Sequence, residues 1–200
     1  RLVLALGDVA GKGRPAALLM ALLLAMLRTL VDEGLEAARM IERLNAQVAR
    51  HSPASRFITF FYGLYDPRTG DLQFVNAGHL PPIIRRADGQ FERITGPTGS
   101  GLALGMFEEA KYDTNRIRLE PGDVLVMYTD GITEAENAAG RAFEESGLEG
   151  VIASSWMHDP RHIGAGIISA VETYSADVRL VDDLTALVLK RTTVEPAATV

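Results

Sequence analysis

The sequence contains no cysteine. Disulfides, zinc–thiolate sites, iron–sulfur clusters and a cysteine nucleophile are therefore excluded. It also lacks a basic excess: 20 Lys and Arg stand against 26 Asp and Glu, a formal net charge of −6. Without a positive footprint, nucleic acid is not an expected partner. The longest unbroken apolar run, Ala16 to Leu27, has twelve residues and ends at Arg28. That is too short to span a bilayer and reads as a core helix covered by protein. No Gly-x-Ser-x-Gly occurs, so serine-hydrolase chemistry has no support. No signal-peptide pattern, internal repeat or low-complexity linker is visible. The chain opens at Arg1 inside what reads as a strand, and further structure is expected upstream.

What remains is a globular balance, 47% hydrophobic and 23% charged in 200 residues, enough for one domain with a proper core. The expected domain covers residues 1–191, with a frayed tail at 192–200. Leu2–Leu6 reads as a strand running into Gly7-Asp8. Pro15 suits the first turn of a helix that reaches about Asp32. A second helix, about Glu36–Arg50, sets Met40, Ile41, Leu44 and Val48 on one face. Strands are expected at Phe57–Tyr65 and Asp71–Asn76, and a hairpin at Ile83–Arg86 and Phe91–Ile94. Arg116–Leu119 and Val124–Tyr128 read as two more, joined at Glu120-Pro121-Gly122-Asp123. Helices at 142–153 and 160–176 precede a last strand, Leu184–Lys190. Short connections call for antiparallel pairing, and the order of elements predicts an α+β fold with helices on antiparallel sheets.

The chemistry-bearing recurrence is an apolar run that stops at aspartate. Leu2–Leu6 leads into Asp8, Val124–Tyr128 leads into Asp130-Gly131, and Asp182-Asp183 stands just before the final strand. Carboxylates at strand ends can meet at one sheet edge and form an all-oxygen site suited to Mg²⁺ or Mn²⁺. Aspartate is also the ordinary residue of turns and caps, and pattern alone leaves both readings open. Gly7 to Gly13 invites comparison with a phosphate loop. Only three residues separate Gly7 from Gly11-Lys12, however, and Gly13-Arg14 follows where Ser or Thr is required, so a P-loop is rejected. His79 closes the run Asn76-Ala77-Gly78-His79, either as a general acid or metal neighbour, or as a turn histidine bonded to backbone. His51, His158 and His162 read as surface residues.

Taken together, five segments carry a resemblance. They are Gly-Asp-Val-Ala-Gly-Lys-Gly-Arg-Pro-Ala-Ala-Leu at 7–18, Asn-Ala-Gly-His at 76–79, Pro-Gly-Asp-Val-Leu at 121–125, Tyr-Thr-Asp-Gly-Ile-Thr-Glu-Ala at 128–135 and Asp-Asp-Leu-Thr at 182–185. In that order they resemble the RsbU- and SpoIIE-like branch of the PPM, or protein phosphatase 2C, superfamily over about residues 2–190. The resemblance implies a sandwich of two antiparallel β-sheets flanked by helices, and a binuclear Mn²⁺/Mg²⁺ centre. It implies that Asp8 bridges both metals and the Val9 carbonyl binds one of them. Asp130 and Asp182 would bind the second, with Asp183 able to substitute, and Gly131 would permit the tight turn after Asp130. Asn76 and His79 would be supporting or substrate-side residues. The implied reaction is in-line hydrolysis of phosphoserine or phosphothreonine with no covalent phosphoenzyme. The implied partner is a phosphorylated regulator such as an anti-anti-sigma factor, in the cytoplasm, with a sensor or receiver module upstream. A weak or inactive relative acting as a protein-binding scaffold is the alternative. Two departures stand out. The family's upstream Gly-Gly-Asp-type motif would precede Arg1, and its Gly-Glu-x-Phe-Gly pattern is here Gly140-Arg141-Ala142-Phe143-Glu144, which predicts an altered loop or substrate contact.

Overall fold

The computed structural model describes residues 1–52, 56–96, 99–176 and 178–192. Its elements are β1 (Leu2–Val9), α1 (Arg14–Asp32), α2 (Ala37–His51), β2 (Ile58–Tyr65), β3 (Asp71–Ala77), β4 (Ile83–Arg85), β5 (Phe91–Arg93), β6 (Asn115–Arg118), β7 (Val124–Tyr128), α3 (Asp130–Thr133), α4 (Glu144–Ser155), α5 (Pro160–Tyr174) and β8 (Ala186–Lys190). The strands form two four-stranded antiparallel sheets, ordered β1-β2-β3-β6 and β5-β4-β7-β8. The chain divides into two compact units along the same line, Arg1–Pro81 with Thr95–Arg118, and Pro82–Ile94 with Leu119–Val200.

In the first unit both long helices lie on one face of the sheet. Leu19, Leu23, Leu27 and Leu30 of α1 join Met40, Ile41, Leu44 and Val48 of α2 against Phe60, Tyr62, Val75 and Ala77. The other face of the same strands carries Phe61 stacked on Phe74, ring centroids 5.4 Å apart. Burying each of the α1 leucines stabilises the unit by roughly 1.5–3 kcal/mol. The expected complete covering of α1 does not hold among the described residues, since Leu18 is 72% and Leu24 49% exposed. The cause is geometric: a helix of period 3.6 lays only one stripe on a sheet, whatever the residues between. By length and composition α1 is apolar enough to cross a membrane. Asn45, fully buried on α2, donates to the Phe107 and Glu108 carbonyls and accepts from Gly105 N–H, which pins the connection before β6.

In the second unit β7 is buried along its whole length. Helix α5 lies on β8, where Gly164 approaches Val188. From β8, Lys190 Nζ donates to the carbonyls of Trp156, Met157 and His158 at 2.6, 3.2 and 3.1 Å, a cation set at the C-terminus of α4. The Arg85 guanidinium lies 3.9 Å from the Trp156 ring centroid. Asp123 is 1% exposed and accepts from Arg86 Nη1, Ala87 N–H and Glu120 N–H. Its role is structural: it ties the Pro121-Gly122 turn to the β4–β5 hairpin.

Three details depart from the sequence pattern. β1 continues through Asp8 to Val9 because its ladder with β2 runs on to Ile58. β6 and β7, despite the short turn between them, enter different sheets. The short helix α3 was not foreseen. Of the expected tail, residues 193–200 lie outside the described residues.

Candidate metal centre

In the first unit Asp8 is held by main-chain pairing. It stands opposite Thr59 in the β1–β2 ladder, Val9 stands opposite Ile58, and Ala10 N–H then donates to Phe57 O at 2.9 Å. Thr59 Oγ1 lies 2.9 Å from His79 Nδ1, so the strand position facing Asp8 is tied to the Asn-Ala-Gly-His turn. That turn is closed by Asn76, whose Oδ1 accepts from His79 N–H at 2.8 Å and whose Nδ2 donates to His79 O at 3.0 Å. Gly78 has φ 73°, and a Cβ there would come within 2.9 Å of Ala103 N, so only glycine fits. Asn76 and His79 are 5% and 3% exposed. The first is a turn-maker, and the second joins that turn to Thr59. Beyond Asp8 the loop carries Lys12, and Arg14 opens α1. The Arg56 guanidinium lies against Gly11, its Nη1 buried and without a hydrogen-bond partner among the described residues.

In the second unit the carboxylates sit on irregular backbone. Asp130 opens α3 directly after β7, with Thr129 as the extended residue before it. Thr129 N–H donates to Thr185 O at 3.1 Å and Thr185 N–H to Thr129 Oγ1 at 3.2 Å, which extends the β7–β8 pairing by one step. The same hydroxyl donates to Asp183 O at 3.1 Å. Gly131 closes the arrangement: an added Cβ would lie 2.4 Å from Asp183 O and 3.4 Å from Asp182 Cβ. No other residue allows the Asp130-Gly131 corner to seat against Asp182-Asp183. Asp182 Oδ1 accepts from Asp183 N–H at 2.9 Å. The two neighbours thus differ, with the Asp183 carbonyl fixed by Thr129 while Asp182 borders a cavity.

Within each unit, then, the expected residues gather: Asp8 and Val9 with Thr59 and His79, and Asp130 and Gly131 with Asp182 and Asp183. Among the described residues no three His, Asp or Glu side chains cluster closely enough to hold a cation on their own. The donor chemistry is nonetheless all oxygen, and Mg²⁺ is commonly held by one or two carboxylates with waters and carbonyls completing its shell. Thr59 and Thr129 are the residues that sequence reasoning missed. Thr129 stands inside the Tyr-Thr-Asp-Gly segment, next to Asp130, whereas Thr59 carries no signal beyond its strand.

A family described as Stage II sporulation protein E (SpoIIE) matches residues 1–192. The chain belongs to the SpoIIE family. It is 30% identical over 189 residues to the phosphoserine phosphatase RsbU of Bacillus subtilis (strain 168), covering 94% of this chain and 55% of that one. The crystal structure of the RsbU and RsbW domains of Rv1364c from Mycobacterium tuberculosis is similar with a TM-score of 0.79 at 28% identity, covering 97% of this chain and 52% of that one. The PP2C phosphatase domain of SpoIIE from Bacillus subtilis, solved with a fragment of its regulatory domain, also gives 0.79, at 21% identity, covering 93% and 53%. That last likeness concerns the fold alone. The SpoIIE-family chain described here thus has the two antiparallel sheets and helices of a PP2C-type phosphatase domain, and spans about half the length of these relatives. PP2C-type phosphatases generally use divalent metals.

Proposed function

We propose that this SpoIIE-family chain is a metal-dependent phosphatase domain that hydrolyses phosphoserine or phosphothreonine on a protein. The observation that carries the reading is the seat of Asp130-Gly131 on Asp182-Asp183, which only a glycine permits, in a chain 30% identical to a phosphoserine phosphatase. Asp8, the Val9 carbonyl, Asp130 and Asp182 would hold two Mn²⁺ or Mg²⁺ ions. When bound, such ions make a nucleophile of water at neutral pH and neutralise phosphoryl charge. The protein's own part is positioning. The β1–β2 ladder fixes Asp8, the Thr129 hydroxyl and Gly131 fix the Asp182-Asp183 backbone, and Lys12, Arg14 and Arg56 supply cationic charge for a phosphoryl dianion. The expected substrate is a phosphorylated signalling protein such as an anti-anti-sigma factor, in the cytoplasm, with a sensor or receiver module in the parent chain.

The test is hydrolysis of p-nitrophenyl phosphate with and without Mn²⁺. Asp8→Asn and Asp130→Asn should each reduce metal-dependent turnover more than about 100-fold, beyond what loss of an outer supporting partner costs. Turnover that survives chelation or Asp8→Asn overturns the mechanism. A chain extended upstream that still lacks activity would favour a binding scaffold instead.

A further inference from the structure

The second unit contains a cavity of about 400 Å³, within the range of ligand sites, that the proposed metal chemistry leaves unused. Gly131 and Asp182 border it, so it adjoins the proposed metal ligands. Ala135 and Leu180 give it apolar walls, while Glu134, Glu136 and Arg179 bring charge. None of these three side chains has a hydrogen bond or ion pair among the described residues. Ser175, at the C-terminus of α5, also lines it. Ser175 is 4% exposed and its hydroxyl has no hydrogen-bond partner among the described residues. A buried hydroxyl left without a partner is rare in native proteins and calls for a specific explanation. Ser175 lines a cavity whose carboxylates outnumber its guanidinium, next to the proposed metal ligands.

Resting on the phosphatase reading, we infer that this cavity is a specificity subsite for a lysine or arginine side chain flanking the phosphoserine of the substrate. The aliphatic stem of that side chain lies along Ala135 and Leu180, as long basic side chains lie on apolar surface. Its cation pairs with Glu134 and Glu136, and the Ser175 hydroxyl rotates to accept from it. Because the cavity borders Asp182, the basic residue falls within a few positions of the phosphoserine.

The Mn²⁺-loaded protein is assayed on p-nitrophenyl phosphate and on phosphoserine peptides carrying one lysine at each flanking position, each against its glutamine counterpart. Lysine at one position should raise kcat/KM about tenfold, the size of one charge-assisted hydrogen bond. Glu136→Gln and Ser175→Ala should each remove most of that preference and leave p-nitrophenyl phosphate turnover unchanged. Glu136→Lys should shift preference towards glutamate at the same position. Equal rates on lysine and glutamine peptides, with p-nitrophenyl phosphate turnover intact, overturn the subsite alone. A preference that persists in both Glu136→Gln and Ser175→Ala does the same. A wild type without p-nitrophenyl phosphate turnover overturns the phosphatase reading and the subsite with it.

Discussion

The two units hold their aspartates by different physics. Asp8 is one rung of an eight-residue ladder between β1 and β2, in which every neighbour adds main-chain support. Asp130 and Asp182 stand on a short helix and an irregular segment, and two small groups hold their backbones together: the Thr129 hydroxyl and the bare Cα of Gly131. A ladder spreads its support over many bonds and tolerates the loss of one. A seat that rests on one main-chain bond, one hydroxyl and one missing side chain tolerates it less. The second unit should therefore be the fragile half of the chemistry.

Gly131→Ala tests this most sharply. Its Cβ would meet a backbone oxygen at 2.4 Å, so the Asp182-Asp183 segment itself must move. Overpacking of this kind costs about 1–3 kcal/mol, and a displacement near 1 Å at reacting groups costs about 100-fold in rate. Both losses are expected, read by urea denaturation and by Mn²⁺-dependent turnover. A fully active Gly131→Ala protein would show that the second unit is not the fragile one.

A smaller contrast comes from the two threonines. Thr129→Val keeps the shape but deprives Asp183 O of a donor and Thr185 N–H of an acceptor, at a residue 5% exposed. Both partners belong to exposed residues, so the loss is that of two ordinary hydrogen bonds, about 1–3 kcal/mol in all. Thr59→Val removes a single bond, to His79 Nδ1, and leaves the strand ladder intact. His79 is itself 3% exposed, so the expected cost is about 1 kcal/mol, one bond against two. Parallel denaturation curves decide it, and equal losses would show that the first unit leans on its side chains as heavily as the second.

Acid should separate the two units less. Burial would raise the Glu145 carboxyl, but hydrogen bonds from Arg93 and Tyr128 outweigh it and hold its pKa below 4.5. Glu36 in the first unit follows the same logic: burial would raise it, and Thr114 with backbone N–H groups lowers it. A carboxyl depressed in the folded state binds fewer protons there than in the unfolded chain. Its stabilisation is complete above about pH 4.5 and fades as pH falls through the folded value. Glu145→Gln and Glu36→Gln should each weaken the loss of denaturation midpoint between about pH 5 and 3. Neither should alter the slope near neutrality.

Much of this was legible in the sequence because strand ends and glycine turns are local signals. Asp8, Asp130 and Asp182 each adjoin an apolar run, buried throughout only before Asp130, and the stripe Met40, Ile41, Leu44 and Val48 is buried as its spacing predicts. What was hidden depends on distant partners. The roles of Thr59 and Thr129 follow from positions 20 and 54–56 residues away along the chain. The coverage of α1 was hidden because a leucine-rich run fills all faces alike, and the sheet chooses which leucines to bury. The Pro121-Gly122 turn reads as a hairpin, yet Asp123 binds Arg86 and Ala87 and commits β7 to the second sheet.

The smallest expected effect lies at Glu144, the one non-glycine residue with positive φ among the described residues, at 60°. The Gly-Glu-x-Phe-Gly pattern that residues 140–144 resemble would put glycine at this position. The loop before it is well tied, with Phe143 N–H on Ala135 O at 2.8 Å and Asn137 N–H on Arg141 O at 3.0 Å, so the backbone cannot relax elsewhere. The altered residue thus leaves a strained left-handed position. A side chain there costs about 1–2 kcal/mol. Returning glycine forfeits about 0.5–1 kcal/mol to unfolded-chain freedom and about 0.3 kcal/mol of helix-dipole interaction at the start of α4. Glu144→Gly should therefore gain only about 0.5 kcal/mol, a rise in melting temperature of about 1–2 °C for a chain of this size. Glu144→Ala loses the charge but keeps the strain, and should gain nothing. If the alanine variant melts as high as the glycine variant, the left-handed backbone is not what costs this unit stability.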